Sequence, residues 1–329
     1  MGHTISAVVL TYNRKELLVQ CLDAILRQER PVDHVIVIDN GGTDGTRECI
    51  AERWGDRVEV YQLPHNLGSA GGFNAAMRIG YERGDNAIWL MDDDVIPAPD
   101  ALQKLFEAEQ TLQRRAIDAP FVISTAWTPD GLLTNVPPPD CSTNSISYSQ
   151  WPMLLSEAMV PVRRATFVSI LLKREVLSVH GLPIADMFMW TEDTEFTERI
   201  TRSTPGFFVG TSNVVHIRST PGTLNIRTET NPIRIRNHYY LHRNNVYCTW
   251  RRQGWRGVFS LVRKYARFAM KLLYEGEWTK AYIVASGTLA GLFFRPPTER
   301  VDSPCDLEAL RSQEVRLPIA IEQAVATSS

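Results

Sequence analysis

Apolar positions follow two alternating rhythms through the first hundred residues. Short continuous apolar runs at 5–12 (ISAVVLTY), 34–40 (HVIVIDN), 58–63 (VEVYQL) and 87–92 (AIWLMD) predict strands. Between them apolar residues recur at helical spacing. Leu17, Leu18, Cys21, Leu22 and Ile25 do so within 14–28, and further helices are predicted over 46–55 and 71–84. Strands that are apolar throughout are buried on both faces, and their alternation with helices predicts a parallel sheet covered on both sides. In such sheets ligands bind beyond the carboxyl ends of the strands.

Those ends are polar. The first run closes on Thr11, Tyr12, Asn13 and Arg14, and the second on Asp39 and Asn40 followed by GGTDGT. The third leads into HNLGSAGGFN (65–74), and the fourth ends in three adjacent aspartates, Asp92, Asp93 and Asp94. A dinucleotide-binding site would need GxGxxG directly after the first strand, where this chain has TYNR. The triplet must face a positive charge. Continued strand alternation would send Asp92 and Asp94 to one side and Asp93 to the other. Two same-side carboxylates suit a hard divalent cation, Mg²⁺ or Mn²⁺, which would also neutralise a diphosphate leaving group. The competing reading is a solvated turn before a helix, although Asp100 already fits the helix cap.

The second half predicts a strand and short helix over 163–183, then an acidic helix start in MFMWTEDTEFTERI (187–200). A short strand leads to His216, and residues 281–294 predict a buried helix, too short to span a bilayer. Over 255–276 a helical wheel sets Arg256, Arg263, Lys264, Arg267 and Lys271 against Val258, Leu261, Val262, Tyr265, Phe268 and Leu272. Such a helix either lies on an anionic membrane or packs on the protein with its basic side in water. Residues 135–150 read as a mobile loop near the acceptor side, and the segment from 301 as a mostly polar tail, partly disordered. The net charge of −2 gives no general case for nucleic acid. Five scattered cysteines without a CxxC pair argue against a disulfide framework or zinc site and fit a reducing compartment. No secretory signal is recognised at the start, so a cytoplasmic location is expected.

TYNR, VIDNGGTDGT, HNLGSAGGFN and WLMDDDV, in this order, resemble the inverting family 2 glycosyltransferases of GT-A fold. The likeness is greatest to bacterial galactofuranosyl- and rhamnosyltransferases of cell-wall and polysaccharide assembly, and it spans roughly residues 4–250. The resemblance implies a Rossmann-like, mixed but mostly parallel α/β sheet with helices on both faces and a C-terminal helical extension. The implied parts are a catalytic domain at 1–220, a helical, membrane-facing region at 221–300 and a tail at 301–329. It implies that Thr11 and Arg14 line a nucleotide pocket and that Asp39 accepts a hydrogen bond from the base. Asn66, Gly68, Ser69 and the glycines before the third helix would let backbone approach ribose and diphosphate. Asp92 and Asp94, with His216, would hold Mn²⁺ or Mg²⁺, while Asp92 and Asp93 would touch the sugar nucleotide. Asp193 would be the general base, with Glu192 the fallback. His242 is a weaker ligand candidate, and Arg218 or Arg243 could neutralise phosphate.

By the same resemblance the donor would be UDP-galactofuranose, with dTDP-rhamnose second. The acceptor would be a glycan, growing on a polyprenyl diphosphate carrier at the inner face of the cell membrane. Two rivals stand beside this. A nucleotidyltransferase would carry a glycine-rich basic signature that TYNRKELL lacks. A membrane-bound scaffold with a degenerate nucleotide fold would bind no nucleotide with metal.

Overall fold

The computed structural model describes residues 2–218, 222 and 224–303. In chain order its elements are β1 (Ile5–Thr11), α1 (Lys15–Leu26), β2 (His34–Asp39), α2 (Thr46–Trp54), β3 (Glu59–Gln62), α3 (Gly68–Arg83), β4 (Ala87–Asp92), β5 (Val95–Pro97) and α4 (Ala101–Arg114). There follow β6 (Phe121–Trp127), β7 (Leu133–Thr134), β8 (Met159–Val162), β9 (Ile170–Lys173), α5 (Arg174–His180), α6 (Glu192–Ile200), β10 (Gly206–His216), α7 (Pro232–Tyr274) and α8 (Trp278–Phe293).

The strands form one sheet in the order β3-β2-β1-β4-β9-β6-β10-β5, with β7 beside β6 and β8 beside β10. The pairs β3/β2, β2/β1, β1/β4 and β6/β10 are parallel, while β9 runs against both β4 and β6. The ends of β1, β2, β3, β4 and β10 therefore lie along one edge. Strand alternation builds the two covering layers. Ile5, Ala7 and Val9 of β1, with Trp89 and Met91 of β4, pack with Leu18 and Leu22 of α1 and Leu102 and Leu105 of α4. Val8 and Leu10, with Ile88 and Leu90, pack with Phe73 and Met77 of α3 and Phe196 of α6.

Helix α3 begins at Gly68, three residues before its predicted start, so Gly71 and Gly72 lie inside it and are buried. They serve packing rather than a close approach to phosphate, which corrects the expectation for these two glycines. A Cβ on Gly72 would come within 2.5 Å of the Leu10 side chain, and one on Gly71 within 2.5 Å of Leu67. Residues 135–150 form an exposed loop tied by bridges Pro139–Val162 and Thr143–Ser149.

Helix α7 spans 43 residues and breaks at Gly254, whose φ of 62° and ψ of −161° leave the helical region. Its first limb docks beside the start of α3, where Tyr247 and Cys248 meet Ala70, Ile184 and Met187. Its second limb pairs with α8 through Ala269, Leu272, Ala281 and Val284. The buried helix expected over 281–294 is buried on one side only, since Tyr282, Leu289 and Phe293 are exposed. Among the described residues no helix is long and apolar enough to cross a membrane. The tail expected from 301 lies outside the described residues beyond Ser303.

Candidate active site

The triplet sits where β4 gives way to a turn. The strand ends at Asp92, and Asp93–Asp94 form the turn into β5. The alternation expected across the triplet therefore fails. Arg14 Nη1 donates to both Asp93 Oδ1 (3.2 Å) and Asp94 Oδ2 (2.8 Å), so these two carboxylates share a side. The positive charge facing the aspartates in this structure is the guanidinium of Arg14, carried at the N-terminus of α1.

Each aspartate has a distinct setting. Asp93 is buried, and Thr11 Oγ1 donates to its second oxygen at 2.7 Å. Thr11, expected in the nucleotide pocket, is buried at the end of β1 holding Asp93. Burial pushes the Asp93 carboxyl up to about 6 even though Arg14 and Thr11 act against it. Asp92 has the parity of Ile88 and Leu90, which pack toward α3 and α6. Burial, its two neighbours and the charge of Glu192 all raise it well above the ordinary range. The triplet and the acidic motif of α6 thus feel each other electrostatically.

Asp94 meets His216. Antiparallel pairing sets His216 of β10 opposite Val95, and Ile217 N donates to the Asp94 carbonyl at 2.8 Å. His216 Nε2 approaches Asp94 Oδ1 to 3.1 Å, the distance of an ion pair. Oδ1 is buried and receives no hydrogen bond among the described residues. Burial raises the Asp94 carboxyl, but His216 and Arg14 outweigh it and hold it below its usual value. The other face of the imidazole is fixed by a relay that sequence reasoning missed. Arg218 donates to Thr134 Oγ1 (3.3 Å), Thr134 donates to Asn135 Oδ1 (3.0 Å), and Asn135 Oδ1 lies 3.0 Å from His216 Nδ1. That places the Nδ1 proton on the Asn135 side and turns Nε2 toward Asp94. Asp94 Oδ1, which has no hydrogen bond among the described residues, and the adjacent His216 Nε2 would fit as two ligands of a divalent cation, with Nε2 giving up its proton to it. No three His, Cys, Asp or Glu side chains among the described residues form a metal cluster. Asp94 and His216 would thus supply two ligands, and phosphate oxygens and water the rest. Arg218, a candidate phosphate partner, is spent on the relay.

Two loops complete the edge. Asp39 is buried at the end of β2, accepting from Gly42 N (2.7 Å) and Gln62 Nε2 (3.3 Å). Burial raises its carboxyl, partly offset by the Gly42 amide. Asn40 was not singled out from sequence, yet it braces the third loop. Its Nδ2 donates to the Gly68 carbonyl (3.0 Å) and its Oδ1 accepts from Leu67 N (2.9 Å). Asn66 Oδ1 caps Gly68 N at 2.8 Å. Gly68 has φ +71°, and a Cβ there would collide with the Phe188 carbonyl.

That carbonyl belongs to the segment before α6, and Ala70 N donates to it at 2.9 Å. Ser69 Oγ donates to Glu192 Oε1 at 2.5 Å, linking the third loop to the acidic motif. Glu192 is buried and its Oε2 has no partner among the described residues. Burial, with the neighbouring Asp193, pushes it up to about 8. Burial pushes Asp193 up to about 6, against the Thr194 amide that donates to it at 2.6 Å. At neutral pH Asp193 is the ionised, unusually basic member of the pair, and Glu192 is mostly protonated.

The turn bearing this pair is strained. Phe188, Trp190 and Thr191 have φ of 62°, 63° and 74°. The first limb of α7 holds it. Buried Asn244 shares its amide between the carbonyls of Met187 (3.0 Å), Met189 (3.1 Å) and Trp190 (2.9 Å). Arg243 donates to those of Asp186 and Met187. Arg243, expected as a phosphate partner, is thus committed to the turn. His242, the weaker ligand candidate, lies against Tyr265 at 4.5 Å between ring centroids, in the C-terminal helices.

A mixed, mostly parallel sheet with two acidic motifs at one edge is an arrangement that suits a glycosyltransferase. Residues 6–171 match the family model for glycosyl transferase family 2, and the chain belongs to that family. It is 43% identical over 102 residues to galactofuranosyltransferase GlfT1 of Mycolicibacterium smegmatis, covering 30% of this chain and 33% of that one. It is 38% identical over 98 residues to GlfT1 of Mycobacterium tuberculosis (29% and 31%). To the undecaprenyl-phosphate mannosyltransferase of Micrococcus luteus it is 32% identical over 132 residues (40% and 51%). The matched parts thus span 31–51% of the length of these relatives. S. aureus TarS 1-349 in complex with UDP-GlcNAc superposes with TM-score 0.52 at 15% identity, over 85% of this chain and 81% of that one. GalNAc-T7 with UDP, GalNAc and Mn²⁺ does so with TM-score 0.51 at 15% identity (72% and 48%). At such identities these likenesses establish the GT-A fold.

Proposed function

We propose that the protein transfers galactofuranose from UDP-galactofuranose, with inversion, to a glycan on a polyprenyl-linked carrier in cell-wall or polysaccharide assembly. The observation carrying this reading is the convergence on one sheet edge of the Asp94–His216 pair, the Asn66–Ser69 loop and the Glu192–Asp193 motif. The alignment with two galactofuranosyltransferases supports the donor, and those relatives and the mannosyltransferase support the setting.

In this reading the Asn66–Ser69 loop borders the diphosphate at the start of α3, its Leu67 and Gly68 amides held by Asn40 and Asn66. Asp39 sits where the base would lie, at the end of β2. Arg14 must release Asp94 as the donor enters, and its half-exposed side chain has room to turn toward phosphate. Asp94 and His216 would hold Mn²⁺ or Mg²⁺, which neutralises charge on the departing diphosphate. Asp193 takes the proton from the acceptor hydroxyl as that oxygen attacks the anomeric carbon, and UDP leaves from the opposite face. Ser69 ties Glu192 to the donor loop, so donor seating and base placement are mechanically joined.

The second limb of α7 and α8 expose Phe259, Met270, Tyr274, Trp278 and Tyr282 beside basic residues, which favours contact with the cytoplasmic membrane face. The test compares UDP-galactofuranose and dTDP-rhamnose as donors to polyprenyl-linked glycan acceptors. Transfer from the first alone supports the reading. Transfer from dTDP-rhamnose alone replaces galactofuranose with rhamnose. No transfer, together with no nucleotide binding, revives the scaffold.

A further inference from the structure

Helix α8 stops where the sequence reads FFRPPTERV (293–301). The prolines lack the N–H a helix needs and force the residue before them into extended backbone. The chain therefore turns back over the protein as an irregular segment, 294–303. Its first contacts lie behind the acidic turn. The Arg243 guanidinium carbon sits 4.0 Å from the Phe294 ring centroid, and the Tyr247 ring 5.7 Å away. Arg243 is the side chain that donates to the carbonyls of Asp186 and Met187. Arg295 covers Trp250 (4.1 Å) and Trp255 (5.7 Å), one on each limb of α7 beside the break at Gly254.

The segment ends on Arg78 of α3, which is 2% exposed. Arg78 Nη1 donates to the carbonyls of Arg300 (3.2 Å), Val301 (3.1 Å) and Ser303 (3.1 Å), and Nη2 to Glu299 Oε2 (2.9 Å). All the hydrogen bonds of this guanidinium among the described residues run to the segment, so its departure would orphan a buried charge. Beside it Leu182 N donates to the Glu299 carbonyl at 2.8 Å. Leu182 begins the stretch that leads into the acidic turn. Arg199 of α6 donates to the Leu182 carbonyl (2.9 Å), and Asn74 of α3 to that of Pro183 (2.8 Å). Gly181 has φ +75°, and a Cβ there would lie 2.5 Å from the Glu299 carbonyl oxygen.

We propose that residues 294–303 form a strap that positions the acidic turn, with Arg78 as the positioning residue that fastens it. This rests on the reading of Asp193 as the base. Left-handed backbone at Phe188, Trp190 and Thr191 persists only while its surroundings hold it. The strap grips those surroundings twice, at Leu182 before the turn and at Arg243 behind it. Arg78 touches no reacting group. It lies nine residues along α3 from Ser69, about 13 Å at 1.5 Å per residue, so loosening it should disturb the base more than the donor loop.

The test uses the full chain with Arg78→Met, which removes the donors, and Gly181→Ala, which pushes on the strap from the other side. Gly84→Ala is the control, a glycine at φ +91° with open space where its Cβ would go. Three quantities are read: kcat with UDP-galactofuranose and a polyprenyl-linked glycan saturating, Mn²⁺-dependent UDP affinity, and amide hydrogen exchange. Arg78→Met and Gly181→Ala are expected to lower kcat at least tenfold and to leave UDP affinity within twofold. Exchange should quicken at Leu182 and across 184–191 but not in β1 or β4; Gly84→Ala should do none of this. A kcat within twofold of wild type in both variants would overturn the strap. So would exchange rising equally in β1 and β4, or UDP affinity falling as much as kcat, because the damage would then be general. Should Arg78→Met not fold, Gly181→Ala carries the same readouts. The wild type gives a further check, since Leu182 should exchange in step with 184–191; exchange in step with β1 would contradict the proposal. Absence of turnover in the wild type sinks the functional reading and leaves the exchange result to decide the strap, whereas turnover unchanged in both variants sinks only the strap.

Discussion

Exchanging one carboxylate for an amide at either position of the acidic pair should give opposite results. Asp193 is held near 6 and is ionised at neutral pH, while Glu192 is held near 8 and is mostly protonated. Asp193→Asn keeps the oxygen that accepts the Thr194 amide but removes the proton acceptor. A general base contributes about 10²–10⁴ in rate, which at ~1.36 kcal/mol per tenfold is ~2.7–5.4 kcal/mol of barrier. Glu192→Gln replaces a group that is already mostly protonated at neutral pH. Its amide oxygen can still accept from Ser69, so the loss should be only a few-fold. The assay is the initial rate of UDP release with donor and acceptor saturating, with UDP affinity measured separately and unchanged in both variants. A rate for Asp193→Asn within a few-fold of wild type would refute Asp193 as base. Equal losses from both variants would refute the division of roles.

The wild-type rate should also depend on pH. A base near 6 must be unprotonated to act, so kcat should fall about tenfold for each unit below that value; a flat profile between pH 5 and 7 would count against Asp193. Asn244→Ala removes the donor shared by three carbonyls, leaves those of Met189 and Trp190 without it, and loosens the strained turn. At about 1–3 kcal/mol for leaving buried groups unsatisfied, denaturant unfolding should show a loss of at least ~2 kcal/mol, with kcat falling more than donor affinity. A stability within ~0.5 kcal/mol of wild type would show that the turn holds itself.

The first four strands and their helices were legible because continuous apolar runs and helical spacing are local signals. β1, β2 and β4 fall within a residue of their predicted ends. The positions of the triplet, the NLGS loop and the ED pair were legible for the same reason, as each sits at an element terminus. What those residues touch was not. Asp93 turned out to share Arg14 with Asp94 because the chain leaves strand geometry after Asp92, and no alternation rule extends into a turn. The Asn135 relay joins residues 81 apart to His216, and Asn244 reaches back more than fifty residues to the acidic turn. Such pairings are tertiary and leave no periodic trace. The Arg243–Asn244 pair in HRNNVY was the one available signal, its resemblance implying a helix packed under the site, and Asn244 does lie on a buried helix face. Gly71 and Gly72 show the reverse error, since a glycine-rich string reads as a phosphate loop when its use is packing, Gly72 against Leu10 of β1 and Gly71 against Leu67.

The central claim is that Asp94 and His216 hold a divalent cation against the diphosphate of a uridine nucleotide. Titration calorimetry of UDP into the protein, with and without Mn²⁺, on wild type and Asp94→Ala, tests it most directly. The account predicts binding that requires Mn²⁺ in the wild type and is lost in the variant. UDP binding of equal strength without the metal, or Mn²⁺-dependent binding that survives Asp94→Ala, would contradict it.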